Sequence, residues 1–158
     1  MHISAKSDYA IRAALEIAQR EPDVVTADTI AGGQGLPRTF VVSILADLRR
    51  AGLVRAHRGS SGGYVLTRPA SDVTLGSIIR AVDGPLGQVH GLRPDEVEYP
   101  GVAEHLPDVW VAVRSSLRLV LDGTTLQHAL TGRLPAPVAR MRDAPGAREP
   151  RAVPSWAS

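Results

Sequence analysis

Hydrophobic positions in the first 84 residues follow helical spacing, switch once to alternation, and then return to helical spacing. The stretch ISAKSDYAIRAALEIAQR predicts a first helix, with Ala10, Ile11, Ala14, Leu15 and Ala18 on one face. Ser4 or Ser7 can cap its start, and Glu21-Pro22-Asp23 stops it. Thr26 opens a short second helix that buries Ile30 and Ala31 and carries Asp28 near its positive end. Gly35 suits the tight turn that follows. A third helix is predicted from Pro37 to Gly52, with an apolar stripe of Phe40, Val41, Ile44, Leu45 and Leu48. Arg38, Thr39, Val42, Ser43 and Ala46 fall on its other side. Two short helices joined by a glycine turn, the second amphipathic, match a helix-turn-helix.

Alternation then takes over. Leu53 to His57 and Gly63 to Thr67 read as paired strands, and Gly59-Ser60-Ser61-Gly62 reads as their connecting loop. Such a hairpin beside a recognition helix is a wing. Thr74 caps a fourth helix bearing Leu75, Ile78, Ile79 and Val82, which ends at Asp83-Gly84-Pro85. Glycines, prolines and acids make residues 86–105 an irregular connector. From Leu106 the helical pattern resumes through Val109, Trp110, Val113, Leu117, Val120 and Leu121, more apolar surface than one buried stripe requires. A helix of this kind can pair with its copy in a second subunit, or cap the core of its own. A short helix from Thr125 to Leu130 is expected next, and Arg133 to Ser158 lacks periodicity and reads as a mobile tail with Trp156 near its end. The fold class is thus mainly α with a small β-hairpin. Residues 1–85 form a winged helix-turn-helix, 86–105 a connector, 106–132 a dimerisation helix with a short following helix, and 133–158 a tail.

Composition changes this picture little: 158 residues with 44% hydrophobic and 22% charged residues suit one ordinary globular core. No run approaches the roughly 18 apolar residues of a membrane span. The N-terminus MHISAKSDYA has no signal-peptide core, which points to the cytoplasm and to no membrane partner. With no cysteine, disulfides, thiol catalysis and thiolate metal sites are excluded.

The formal net charge is only +2, but the positive charge is local. No acid occurs between Asp47 and Asp72, a stretch that holds Arg49, Arg50, Arg55, Arg58 and Arg68. An acid-free, arginine-lined wing can lie along a phosphate backbone, where each neutralised phosphate releases counterions. Arginine suits phosphates and guanine edges, although a G·C-rich gene gives the same bias toward it. The candidate DNA contacts are Arg38, Thr39, Val42 and Ser43 on the third helix, with Arg49 near its end, and Arg58, Gly59, Ser60, Ser61 and Gly62 in the wing. Val42 could meet a thymine methyl group, and Arg38 a guanine or a phosphate. Arg49 and Arg50 equally suit the negative end of the helix dipole. His57 reads as a surface strand residue. His90, His105 and His128 lack the paired spacing of a preformed metal site, and no nucleophile–base pair or phosphate loop argues for an enzyme. Trp110, Tyr99 and Leu92 could line a small effector pocket, or Trp110 could sit in the core.

The order and wording of these elements resemble the Rrf2 family of bacterial winged-helix transcription regulators. The likeness rests on SAKSDYAIRAALEIA, IAGGQGLPRTFVVSILADLRRAGLV, RGSSGGYVLTRP and TLGSIIRAVDGPL, which together cover most of Met1 to Leu86, a span of more than half the chain. The resemblance implies a homodimer on a partly palindromic operator, with the helix near residues 106–121 crossing its partner. Many members hold an iron–sulfur cluster through cysteines after the fourth helix, a segment that here reads GQVHGLRPDEVEYPGVAEHLPDVW and contains none. Asp8 matches an acidic ligand of some clustered relatives, but one carboxylate cannot hold a cluster, so no cofactor is expected. Double-stranded DNA and a second copy are the expected partners, with an unknown effector or partner protein left open. The reading is a DNA-binding repressor. The alternative is a winged-helix protein-interaction module that does not engage DNA.

Overall fold

The computed structural model describes residues 3–150, so the expectation for Trp156 lies outside the described residues. Helix α1 (Ala5–Gln19) is the centre of the fold, and its inward face is mostly alanine: Ala10, Ala13, Ala14 and Ala18, with Ile17. Small side chains let neighbouring helices approach closely. Helices α2 (Ala27–Gln34), α3 (Arg38–Arg50) and α4 (Leu75–Asp83) all pack against it. The Ser4 hydroxyl accepts from Ser7 N at 2.9 Å and caps α1, and Thr26 and Thr74 cap α2 and α4 in the same way. Gly35 ends α2 at φ 61, in the left-handed region that glycine adopts without strain.

Helix α3 buries Val41, Ile44, Leu45 and Leu48. Leu53 N then donates to Leu48 O at 2.9 Å and turns the chain directly into β1 (Val54–His57). Strand β2 (Gly63–Leu66) pairs with it antiparallel, in the register Val54 with Leu66 and His57 with Gly63. Val25 exchanges backbone hydrogen bonds of 2.9 and 2.8 Å with Tyr64 on the outer edge of β2. A Cβ at Gly63 would stand 2.6 Å from the Val25 carbonyl, so this approach requires glycine.

Helix α5 (Leu106–Leu121) follows a connector that contains two single 3-10 turns, Pro94–Glu96 and Gly101–Ala103. The chain then returns to the core. Leu75 N donates to Thr124 O, and Leu126 N to Val73 O, each at 2.9 Å, and α6 (Leu126–Thr131) places a fully buried Leu126 in the same hydrophobic cluster as Ile17 and Ile78. The segment grouped by sequence with the dimerisation helix therefore serves the core of the DNA-binding domain. Residues 136–142 of the expected tail instead form α7 (Ala136–Arg142), with Val138 buried. A helix of two turns offers too few positions for periodicity to show, and a single anchoring valine holds it.

Phe40 departs from its expected place in the buried stripe: it is 54% exposed. It lies at the edge of that stripe, one turn before Ile44, and meets the Tyr9 ring edge-on at 6.2 Å, which leaves its outer surface in solvent.

A polar clasp joins three helix ends. Ser4 and Ser7 hydroxyls donate to Asp83 Oδ2, the latter at 2.5 Å. Lys6 Nζ donates to Val82 O at 3.0 Å and pairs with Asp47 Oδ2 at 2.8 Å. The Ser4 and Ser7 hydrogen bonds, aided by the charge of Lys6, hold the Asp83 carboxyl below the usual range against a smaller opposing effect of desolvation. A carboxylate with a depressed folded-state pKa stabilises the fold above its unfolded value, and that contribution is lost as pH falls through the folded value. Stability should therefore decline below the ordinary value of 3.8, and Asp83→Asn should flatten that decline in urea titrations between about pH 5 and 2. Leu126→Ala should cost about 2–5 kcal/mol in urea unfolding at neutral pH. A destabilisation as small as a surface substitution gives would detach α6 from the core.

Candidate nucleic-acid interface

The outward face of α3 is set by the burial of its opposite face. With Val41, Ile44, Leu45 and Leu48 in the core, Thr39, Val42 and Ser43 are left exposed in the first two turns. Pro37 stands at the N-cap with no side-chain cap bond, so the first turn of α3 presents backbone N–H groups on an open surface.

Arg38 is exposed but engaged: its Nε donates to Asp28 Oδ1 at 2.6 Å. Arg50 pairs with Asp47 at 2.8 Å within its own helix. Asp47, bonded to Lys6 and Arg50, has its carboxyl held below the usual range, chiefly by the Lys6 hydrogen bond and against desolvation. The ion pairs of the described residues do not involve Arg49, Arg55, Arg58 or Arg68. All four are exposed. The free positive charge of the domain is thus carried by the end of α3 and the wing.

The wing tip stands clear of the protein, with Arg58, Gly59, Ser60 and Ser61 exposed. Gly62 N donates to Gly59 O at 3.0 Å and closes the tip, and Gly59 holds φ 111. Gly62 serves the hairpin itself, since a Cβ there would stand 2.7 Å from the His57 carbonyl. His57 is an exposed strand residue.

The fold and this surface define a winged helix-turn-helix domain of the DNA-binding class, extended by one long C-terminal helix. Residues 3–132 match the model of the Rrf2 family, described as an iron-dependent transcriptional regulator. A candidate HTH-type transcriptional regulator of Mycobacterium tuberculosis is 42% identical over 144 residues, covering 90% of this chain and 89% of that one. The regulator CymR of Bacillus subtilis is 34% identical over 128 residues, covering 80% and 88% of the two chains. The solved structure of that CymR superposes with a TM-score of 0.71 at 30% identity, over 84% of this chain and 98% of its own. A structure of IscR from T. potens gives 0.68 at 32%, over 84% and 88%. The chain belongs to the Rrf2 family: it is a DNA-binding transcriptional regulator, not an enzyme.

The iron in the family's description does not fit the residues present. The connector offers no thiolate, and among the described residues no group of three or more histidines and acids is placed to hold a metal ion. The nearest donors are already engaged. Asp8 pairs with Arg12 at 3.4 Å, Asp95 with Arg93 and Arg114, and His128 Nδ1 accepts from Thr125 N at 3.2 Å in a helix-capping role. His105 lies 3.5 Å from Glu104 on the surface.

Trp110 is half-buried rather than in the core, and its indole N–H is enclosed without an acceptor. The cavity it borders, about 340 Å³, is otherwise lined by Gly87, Gln88, Val89 and Val113; Tyr99 and Leu92 do not line it. Of the features that residue spacing does not reveal, the Arg38–Asp28 pair bears most on function. Its only signal in the sequence is an acid in the first turn of one helix and a base in the first turn of the next.

Replacing Arg58 by Ala should weaken binding to every DNA sequence and lower the slope of log affinity against log salt by about one unit, because one phosphate is then no longer neutralised. Anisotropy titrations at several salt concentrations measure both, and unchanged affinity and slope would remove Arg58 from the interface.

Proposed function

We propose that this protein is a sequence-specific transcriptional repressor that binds a partly palindromic operator as a homodimer and holds no iron–sulfur cluster. One observation carries the reading: an exposed wing with unpaired arginines and no acid, placed directly after an amphipathic recognition helix. In this reading Thr39, Val42 and Ser43 enter the major groove at the first turns of α3. Arg58, Ser60 and Ser61 follow the phosphate backbone at the wing, with Gly59 and Gly62 shaping its tip. Arg49 adds a phosphate contact at the end of α3, and Arg38 joins when it leaves Asp28.

The dimer is assigned to α5. Its sixteen residues include Val109, Trp110, Val113, Leu117, Val120 and Leu121, yet none is buried within the single chain. Val109 is 52% exposed, which leaves an apolar helix face open to solvent. Ile3, Val113, Leu117, Val120, Leu121 and Met141 border a shallow apolar groove of about 410 Å³ along it. A second α5 laid across this groove would bury the face and set two recognition helices on successive major grooves. Half-sites would then lie about one helical turn, roughly 34 Å, apart or a multiple of that. The protein-interaction alternative finds no comparable support, because the residues of the wing itself present arginines and no acid.

Leu117→Glu should convert the dimer to monomer in sedimentation velocity and weaken operator binding by about two orders of magnitude, since each half-site would bind alone. A variant that stays dimeric, or a monomer that binds as tightly as the native protein, would move the interface away from α5.

A further inference from the structure

The recognition surface of α3 has an unusual chemical character for a helix that reads bases. Major-groove readout uses Arg or Lys toward guanine, Asn or Gln toward adenine, and apolar groups toward the thymine methyl. The α3 sequence, RTFVVSILADLRR, contains no Asn, Gln or Lys. Of its three arginines, Arg38 is held by Asp28 at 2.6 Å and Arg50 by Asp47 at 2.8 Å. Arg49 lies eleven residues beyond Arg38, about 16 Å along the helix axis and away from the end that enters the groove. What remains in the first two turns is Thr39, Val42 and Ser43.

Val42 is 41% exposed, and it shares the outward side of α3 with Thr39, one turn away. A single exposed valine on a protein surface carries no meaning by itself. Here it occupies the middle of the outward face of α3, and the one charged side chain of that first turn, Arg38, is directed to Asp28.

We propose that Val42, supported by the Thr39 methyl group, recognises the C5 methyl of a thymine in each operator half-site, and that Arg38 does not read guanine there. The inference rests on the operator-binding function proposed above. The base opposite Val42 is chosen by apolar contact, so its identity depends on one methyl group and not on a hydrogen-bond pattern. The Asp28–Arg38 pair supports this choice. It holds the one guanidinium in the first turn of α3 toward α2, where the carboxylate also repels nearby phosphates unless the arginine neutralises it.

The test uses the full-length protein and its own selected site. An operator is enriched from a random duplex pool, and each thymine is replaced in turn by deoxyuridine, which removes the methyl and leaves base pairing unchanged. Affinities are measured for the native protein, Val42→Ala and Arg38→Ala. At one thymine per half-site the native protein should bind the uracil duplex about three- to five-fold more weakly, as expected for one buried methyl. Val42→Ala should bind the two duplexes equally. Arg38→Ala should keep the native ratio. An enriched site indifferent to methyl removal, or a Val42→Ala protein that retains the full ratio, overturns this proposal alone. A pool from which no sequence is enriched overturns the operator-binding reading and this proposal with it.

Discussion

Close packing around α1 is the constraint on which the rest of the molecule depends. Ala10, Ala13 and Ala14 leave almost no side chain between α1 and its neighbours, so α2, α3, α4 and α6 settle against its backbone with little freedom to slide. Interiors packed to this density do not deform gradually. The outward face of α3 is therefore fixed by what lies on its inward face: burial of Val41, Ile44, Leu45 and Leu48 leaves one orientation for Thr39, Val42 and Ser43. The wing is positioned by the same logic. Its first strand leaves α3 after a short turn, and its second strand is pinned by Val25 through a glycine that admits the carbonyl.

The connector and helix α5 are built on the opposite principle. No residue of helix α5 is fully buried in its own chain, and the connector before it is held by two single turns and by ion pairs among Arg93, Asp95, Glu96 and Arg114. The pairs of Arg93, which is exposed, contribute little to stability. The segment that in a clustered relative would be organised by metal ligands is organised here by Pro94, which is buried, and by those charges.

Much of the DNA-binding domain was legible from residue spacing, because its elements are long enough for periodicity to speak and their ends carry side chains that cap them. Ser4, Thr26 and Thr74 mark starts, and Gly35 marks a stop, and the structure uses each as such. The elements that escaped are those without such a pattern. Phe40 satisfied the stripe's spacing at its margin and yet stands largely in solvent. Leu126 looks like any leucine in a short polar helix, and only the return of the chain to Val73 and Ala70 makes it core. Val138 anchors a helix too brief to announce itself.

By itself the sequence determined the local states: where helices begin and end, which strand faces alternate, that no thiolate exists for a cluster, and that a stretch of arginines lacks acids. These depend on neighbours a few residues apart, and a linear chain displays them directly. The tertiary structure decided that Arg38, outside that stretch, is engaged, because Asp28 and Arg38 meet only when two helices are folded together. It also decided that residues 124–130 close the core while no residue of α5 joins it. Such outcomes depend on how segments far apart in sequence come together, and no spacing along the chain encodes the distance between them.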